Sequence, residues 1–157
     1  MRNGDILLYL DCGCELSPTK RNELLESIEI VKKDKIVGTY VCLERDWTKM
    51  DLIRLLDVYH EKYLHTQQHQ AGALLFLVCD ETRELVNRWY EVASDYHNID
   101  DSPSILENLY NFQEHRHDQS IFSLLTKKYN MYSKNTLDTF VFYLRNISGD
   151  SRIWCLA

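Results

Sequence analysis

Ile6-Leu7-Leu8-Tyr9-Leu10-Asp11-Cys12-Gly13-Cys14 is the stretch on which the reading of the fold turns. A continuous apolar run that ends on a carboxylate and passes into small, polar residues is the pattern of a buried strand leaving its sheet. Outward from it the chain alternates strand and helix patterns. Ser17-Pro18 supplies an N-cap and a proline at the first helical position, and Leu24, Ile28 and Val31 recur at helical spacing. Residues 36–43, rich in β-branched and aromatic side chains, predict a second strand. Thr48-Lys49-Met50-Asp51 has the form of a capping box, opening a helix with Leu52, Leu55, Leu56 and Tyr59 on one face. The polar residues 60–70, which include His60, His65 and His69, read as a surface loop. A third apolar run, 71–78, leads into a helix over 81–96 with Leu85, Trp89, Val92 and Tyr96 on one side.

Residues 105–112 fit neither pattern, Asp118 is placed to cap a helix carrying Ile121, Leu124, Leu125 and Tyr129, and residues 140–144 supply one more strand. Repeated strand-then-helix units imply an α/β fold, with a mixed, mostly parallel sheet flanked by helices on both faces. Ligands are then expected beyond the carboxyl ends of the strands, where Asp11 sits.

The chain has 157 residues and 45% apolar content, enough for a single domain with an ordinary core and no reason for disorder. A net charge of −6 excludes the basic footprint of a non-specific nucleic-acid binder. No window approaches the ~18 apolar residues of a membrane span, and the start lacks the apolar core of a signal peptide, so a cytoplasmic chain is expected. Five cysteines, Cys12, Cys14, Cys42, Cys79 and Cys155, are scattered without paired metal-ligand spacing and read as reduced thiols, several of them buried.

Three stretches carry candidate chemistry. Asp11, just beyond a strand, is suited to hold a divalent cation against phosphate, and equally to end a strand in a turn. Glu114-His115-Arg116-His117-Asp118-Gln119-Ser120 concentrates imidazole, guanidinium and carboxylate groups before an apolar helix. His115 and His117 share a side if that segment is extended, and the alternative is a solvated loop with Asp118 as N-cap. Trp47, in the charged turn of residues 44–51, is either a stacking platform for a sugar or a hydrophobic staple. A zinc site from Cys12, Cys14, His115 and His117 lacks the usual ligand spacing.

Together, residues 4–14, 47–51 and 114–122 resemble, in order, a family of GT-A nucleotide-diphospho-sugar transferases found in bacterial polysaccharide loci and large DNA viruses. The similarity runs over residues 4–132 of a single domain, 1–157, and leaves the tail 133–157 unassigned. The resemblance implies transfer of a sugar from a nucleotide-diphosphate donor to a glycan or other hydroxyl acceptor, assisted by Mn2+ or Mg2+. Asp11 matches a DxD-like metal aspartate, with Gly13 in place of the second carboxylate. The resemblance also gives His115 and His117 as metal partners and Asp118 as the catalytic residue, with Trp47, Lys49, Asp51, Arg116 and Gln119 as substrate contacts. The nucleotide-binding segment that such domains place ahead of the metal aspartate is expected to be missing at the N-terminus. Two outcomes follow from that expectation. The chain is either part of a transferase or a catalytically inactive binding protein on a degenerate transferase scaffold. A sheet edge left bare by the missing front would favour a homo-oligomer.

Overall fold

The structure, a computed structural model, describes residues 1–16, 19–134 and 141–143. In chain order its elements are β1 (Ile6–Leu10), β2 (Cys14–Leu16), α1 (Arg21–Asp34), β3 (Ile36–Gly38), β4 (Tyr40–Leu43), α2 (Met50–Leu55), α3 (Glu61–Leu64), β5 (Gln67–His69), β6 (Ala73–Leu77), α4 (Asp80–Ala93), α5 (His117–Tyr129), β7 (Ser133–Lys134) and β8 (Val141–Tyr143). The fold is mixed α/β. Ser17 and Pro18, the expected cap of α1, and Cys155 lie outside the described residues.

β6 organises the main sheet, whose order is β1-β6-β3-β7. β1 and β3 each pair antiparallel with β6, and β7 pairs parallel with β3. β1, β3 and β7 therefore run one way, with β6 reversed between β1 and β3. β1 proves to be a partly buried edge strand. Strand periodicity sorts the core into two layers. Val37, Ala73 and Leu75 face one side, where Val31 and Leu24 of α1 cover them. Ile36, Leu74 and Phe76 face the other, under Ile121, Phe122, Leu124 and Leu125 of α5, Leu85 of α4, and Leu52 and Ile53 of α2. Helices thus cover both faces, which is why β6 reads as an unbroken apolar run. Phe122 anchors the second layer, with its ring centroid 4.9 Å from that of Trp89 and 6.3 Å from that of Phe76.

The expected second strand is divided. β3 stays in the main sheet, whereas β4 turns away to pair with β5 in a separate ribbon, and the break falls beside Gly38. A Cβ at Gly38 would collide with the Tyr132 hydroxyl and crowd Leu74, so only glycine lets that ring lie against the strand. β5 lies where a surface loop was expected. Its polar residues are buried because they have partners inside, as Gln68 and His69 show below. Helix α2 stops at Leu55, so Leu52 and Leu56 are buried but Leu55 and Tyr59 are exposed. Helix α4 stops at Ala93, leaving Tyr96 exposed in a short 3-10 turn (Tyr96–Asn98). The tail strand expected near residues 140–144 is β8, paired antiparallel with β2. None of the four described cysteines is buried. Among the described residues no helix is long and apolar enough to cross a membrane.

Among the described residues the core contains one buried carboxylate, Glu44, with no solvent exposure. Its Oε1 accepts from Thr48 Oγ1 at 2.7 Å and Gln68 Nε2 at 3.0 Å, and its Oε2 from Ser123 Oγ and Lys127 Nζ, both at 2.5 Å. Those donors come from β5, α5 and the chain just after β4, so a single charge ties the ribbon to the core helix. Burying a carboxylate is tolerable only when such donors surround it. Burial pushes the pKa of Lys127 down, and the Glu44 charge opposes that push.

Removing Glu44 takes an acceptor from all four donors, of which Gln68 Nε2 retains Trp47 O and Ser120 Oγ, whereas removing Lys127 leaves the carboxylate three neutral ones. Glu44→Ala is expected to lower unfolding free energy by about 3–5 kcal/mol, and Lys127→Met by clearly less, as read by urea denaturation. Equal losses would show that the ion pair alone matters.

Candidate functional site

Residues 94–116 contain almost no regular structure, yet they lie firmly along the chain segment 46–51. Gln113 N donates to Asp46 O at 2.7 Å, Arg116 N to Trp47 O at 3.2 Å, and Met50 N to Asn108 Oδ1 at 2.8 Å. Asp51 accepts from the amides of Ile105 and Leu106 at 2.7 and 2.8 Å and pairs with His97 Nε2 at 2.8 Å. Burial would raise the pKa of Asp51, but these hydrogen bonds outweigh it and hold the group below the usual carboxylate range. Lys49 is almost wholly buried. Its Nζ donates to Asp100 Oδ1 at 2.6 Å and to His97 O at 3.2 Å. That lysine, with Ser102, holds the pKa of Asp100 down to about 2.

Thr48 to Asp51 therefore forms no capping box. Thr48 turns inward to Glu44, and Lys49 and Asp51 fasten the strap. Both were expected as substrate contacts, and both are committed to structural partners. Trp47 carries the Arg116 guanidinium 4.1 Å over its ring, and Arg116 also pairs with Glu114 at 3.0 Å. Gln119 Nε2 donates to Gln68 Oε1 at 2.8 Å.

The two histidines differ in burial and in partners. His115 is buried, and its Nδ1 accepts from Lys49 N at 3.3 Å while its Nε2 donates to Asn98 O at 2.8 Å. Both ring nitrogens are thus used. Burial, reinforced by the charge of Lys49, pushes its pKa down to about 4. His117 is exposed, takes a left-handed φ of 49°, and pairs with Asp101 at 2.8 Å. The turn, rather than an extended segment, leaves the two rings edge to face, centroids 6.0 Å apart, one buried and the other exposed. The N-cap of α5 is Arg116, so Asp118 lies within the first helical turn instead of capping it.

Asp118 instead feels the charge at the end of β1. Its main-chain carbonyl accepts from Trp89 Nε1 at 2.9 Å, which fixes the first turn of α5 against α4. Although the residue is exposed, the protein around its carboxyl and then the negative charge of Asp11 push its pKa above the usual carboxylate range. Tyr9 donates to Asp11 Oδ1 at 2.7 Å. That bond, with burial and the charges of Asp11 and Asp118, raises the tyrosine to about 12. Tyr9, Asp11 and Asp118 therefore share one electrostatic neighbourhood at the carboxyl end of β1. Sequence reasoning did not single out Tyr9, although its position two residues before Asp11 puts it on the same face of the strand. Among the described residues, no group of three or more His, Cys, Asp or Glu side chains is arranged to hold a metal by itself. Comparison with family models, with curated proteins and with solved structures finds no match to this chain.

The buried histidines set the acid response of the fold. His115 and His69, the latter pushed down to about 2 by burial, stay neutral in the folded chain while the unfolded chain takes up protons below about pH 6.5. The unfolded state then binds more protons, so stability falls with pH at up to about 1.4 kcal/mol per unit for each histidine. The His115 contribution spans pH ~6.5 to ~4, and those of Asp51 and Asp100 are lost only below ~4. Urea midpoints at pH 7, 5.5 and 4.5 should drop progressively, and His115→Gln should flatten the slope. An unchanged slope in that variant would remove His115 as a cause.

Proposed function

We propose that the chain is a glycosyltransferase, or part of one, that moves a sugar from a nucleotide-diphosphate sugar to the hydroxyl of a glycan or other acceptor with the help of a divalent cation. The observation that supports this reading best is electrostatic: Asp11 and Asp118, more than a hundred positions apart, both raise the pKa of Tyr9, and the charge of Asp11 raises that of Asp118. Carboxylates of which one raises the other's proton affinity suit an oxygen-loving cation. Mn2+ or Mg2+ is typically held by one or two carboxylates, with phosphate oxygens completing the shell. That need for few protein ligands fits the single aspartate of the DxD-like stretch. His115 does not fit as a ligand, because both ring nitrogens already hold backbone groups. The fold agrees with the general α/β class of the resemblance, although the pairings are mainly antiparallel where a mostly parallel sheet was expected, because β6 runs against both β1 and β3.

In this reading Asp11 fixes the cation, which when bound would offset charge on the departing diphosphate. Asp118, with its raised proton affinity, accepts the acceptor's hydroxyl proton as the new bond to the sugar carbon forms and the bond to the diphosphate breaks. Tyr9 keeps Asp11 oriented through its hydrogen bond. Arg116 and Trp47 stack on one another near the start of the same helix and supply a cation and a ring face at the rim.

With millimolar uridine diphosphate glucose and Mn2+, the thermal midpoint of the wild-type chain should rise by a few degrees, as ligand linkage requires, and should not rise in Asp11→Asn. A panel of sugar nucleotides that shifts neither protein, or shifts both equally, would overturn the assignment. Binding without sugar transfer would identify an inactive binding protein on the same scaffold.

A further inference from the structure

A groove of about 730 Å³ opens where α3, the β4–β5 ribbon and the last turn of α5 meet. It lies about two turns of α5, roughly 12 Å, from Asp118, at the opposite end of that helix. For a chain with net charge −6 its lining is unusual, because among the described residues it includes Lys62, Lys127, Lys128, His65 and His69 and no carboxylate. Lys127 is neutralised by Glu44, and Lys128 gives one of its donors to Leu56 O at 2.7 Å. Two positive charges remain, on Lys62 and Lys128. They exceed the roughly half negative charge that the carboxyl end of α5 contributes.

His69 adds a second, independent feature. The residue is 7% exposed and its ring stacks on Tyr132 and Tyr40, with centroids 3.8 and 5.1 Å away. Thr126 Oγ1 commits its proton to carbonyls of its own helix, Phe122 O at 2.8 Å being the nearer. The hydroxyl oxygen can then only accept from His69 Nδ1, 2.7 Å away. In this arrangement the proton sits on Nδ1 and Nε2 carries a lone pair. Every fully buried side-chain nitrogen or oxygen among the described residues has a hydrogen-bond partner. Nε2 has none, so it reaches the groove as an acceptor. Burial keeps the ring neutral, with its pKa pushed down to about 2, so this lone pair persists at any physiological pH.

We propose that this groove binds a phosphate monoester of a hydroxylated compound, of which a sugar phosphate is the simplest example. Lys62 and Lys128 hold the phosphate, and a ligand hydroxyl donates to His69 Nε2. A lone inorganic anion satisfies only the lysines, and an uncharged sugar satisfies only the imidazole. The cavity is also far larger than a phosphate group. This site stands apart from the Asp11–Asp118 neighbourhood, and neither depends on the other.

Calorimetric titration of the full chain at low ionic strength, with glucose 6-phosphate, inorganic phosphate and glucose as separate probes, tests the assignment. Glucose 6-phosphate should bind about tenfold more tightly than inorganic phosphate, the value of one added hydrogen bond of ~1.4 kcal/mol, and glucose should give no measurable heat. Lys62→Ala, an exposed position, should weaken the sugar phosphate severalfold with an unchanged thermal midpoint. His69→Phe, which keeps the ring stack, should reduce its affinity to that of inorganic phosphate. Equal affinity for the two phosphates would mark an adventitious anion site only. No binding at millimolar ligand, or no effect of Lys62→Ala, would overturn the proposal.

Discussion

A buried negative charge must be answered by donors wherever the chain can bring them, and Glu44 makes that demand at the centre of this molecule. Its four partners lie on three separate parts of the sequence, and each is held in place by the others. Thr48 fixes the start of the segment 46–51, Gln68 fixes β5, and Ser123 with Lys127 fixes the face of α5. Ser123 in turn accepts from His69 N, and Ser120 donates to Trp47 O. The polar side chains on the buried face of α5 are thus the means by which a helix otherwise packed through isoleucine, phenylalanine and leucine acquires one rotation and one register.

The segment 44–51 works in two directions from that centre. Inward, Glu44 and Thr48 belong to the core. Outward, Lys49, Met50 and Asp51 present an ammonium, an amide and a carboxylate to a long irregular strap, and His115 closes the arrangement by accepting from Lys49 N and donating to Asn98 O. The strap delivers the chain to α5 through His117, whose left-handed φ makes the sharp entry, and so sets where Asp118 emerges. Position at the candidate site is therefore inherited from contacts well away from it.

Much of the layer structure was legible in the sequence. The apolar runs that became β1, β3 and β6, and the spacing of Leu85, Val92, Ile121, Leu124 and Leu125, followed directly from periodicity. Strand direction did not, because an unbroken apolar run such as β6 looks the same whether its neighbours are parallel or antiparallel. β5 was misread for a physical reason. Gln67-Gln68-His69 is polar, and only the positions of Glu44, Ser120 and Thr126 in space make burying it favourable. A signal was present nonetheless, since Ser120, Ser123 and Thr126 fall at core spacing on an apolar helix and their hydroxyls require polar partners. At the site, the burial of His115 and the exposure of His117 depend on a turn that no residue pattern specifies.

The strap is fastened at several places along its length, by Asp51 at Ile105 and Leu106, by Asn108 to Met50, and by Gln113 to Asp46, while Tyr110 between them is fully exposed. A single proteolytic nick at Tyr110 would leave each new end still moored on its own side. Denaturing electrophoresis would then separate two fragments, whereas native mass measurement would still register one particle.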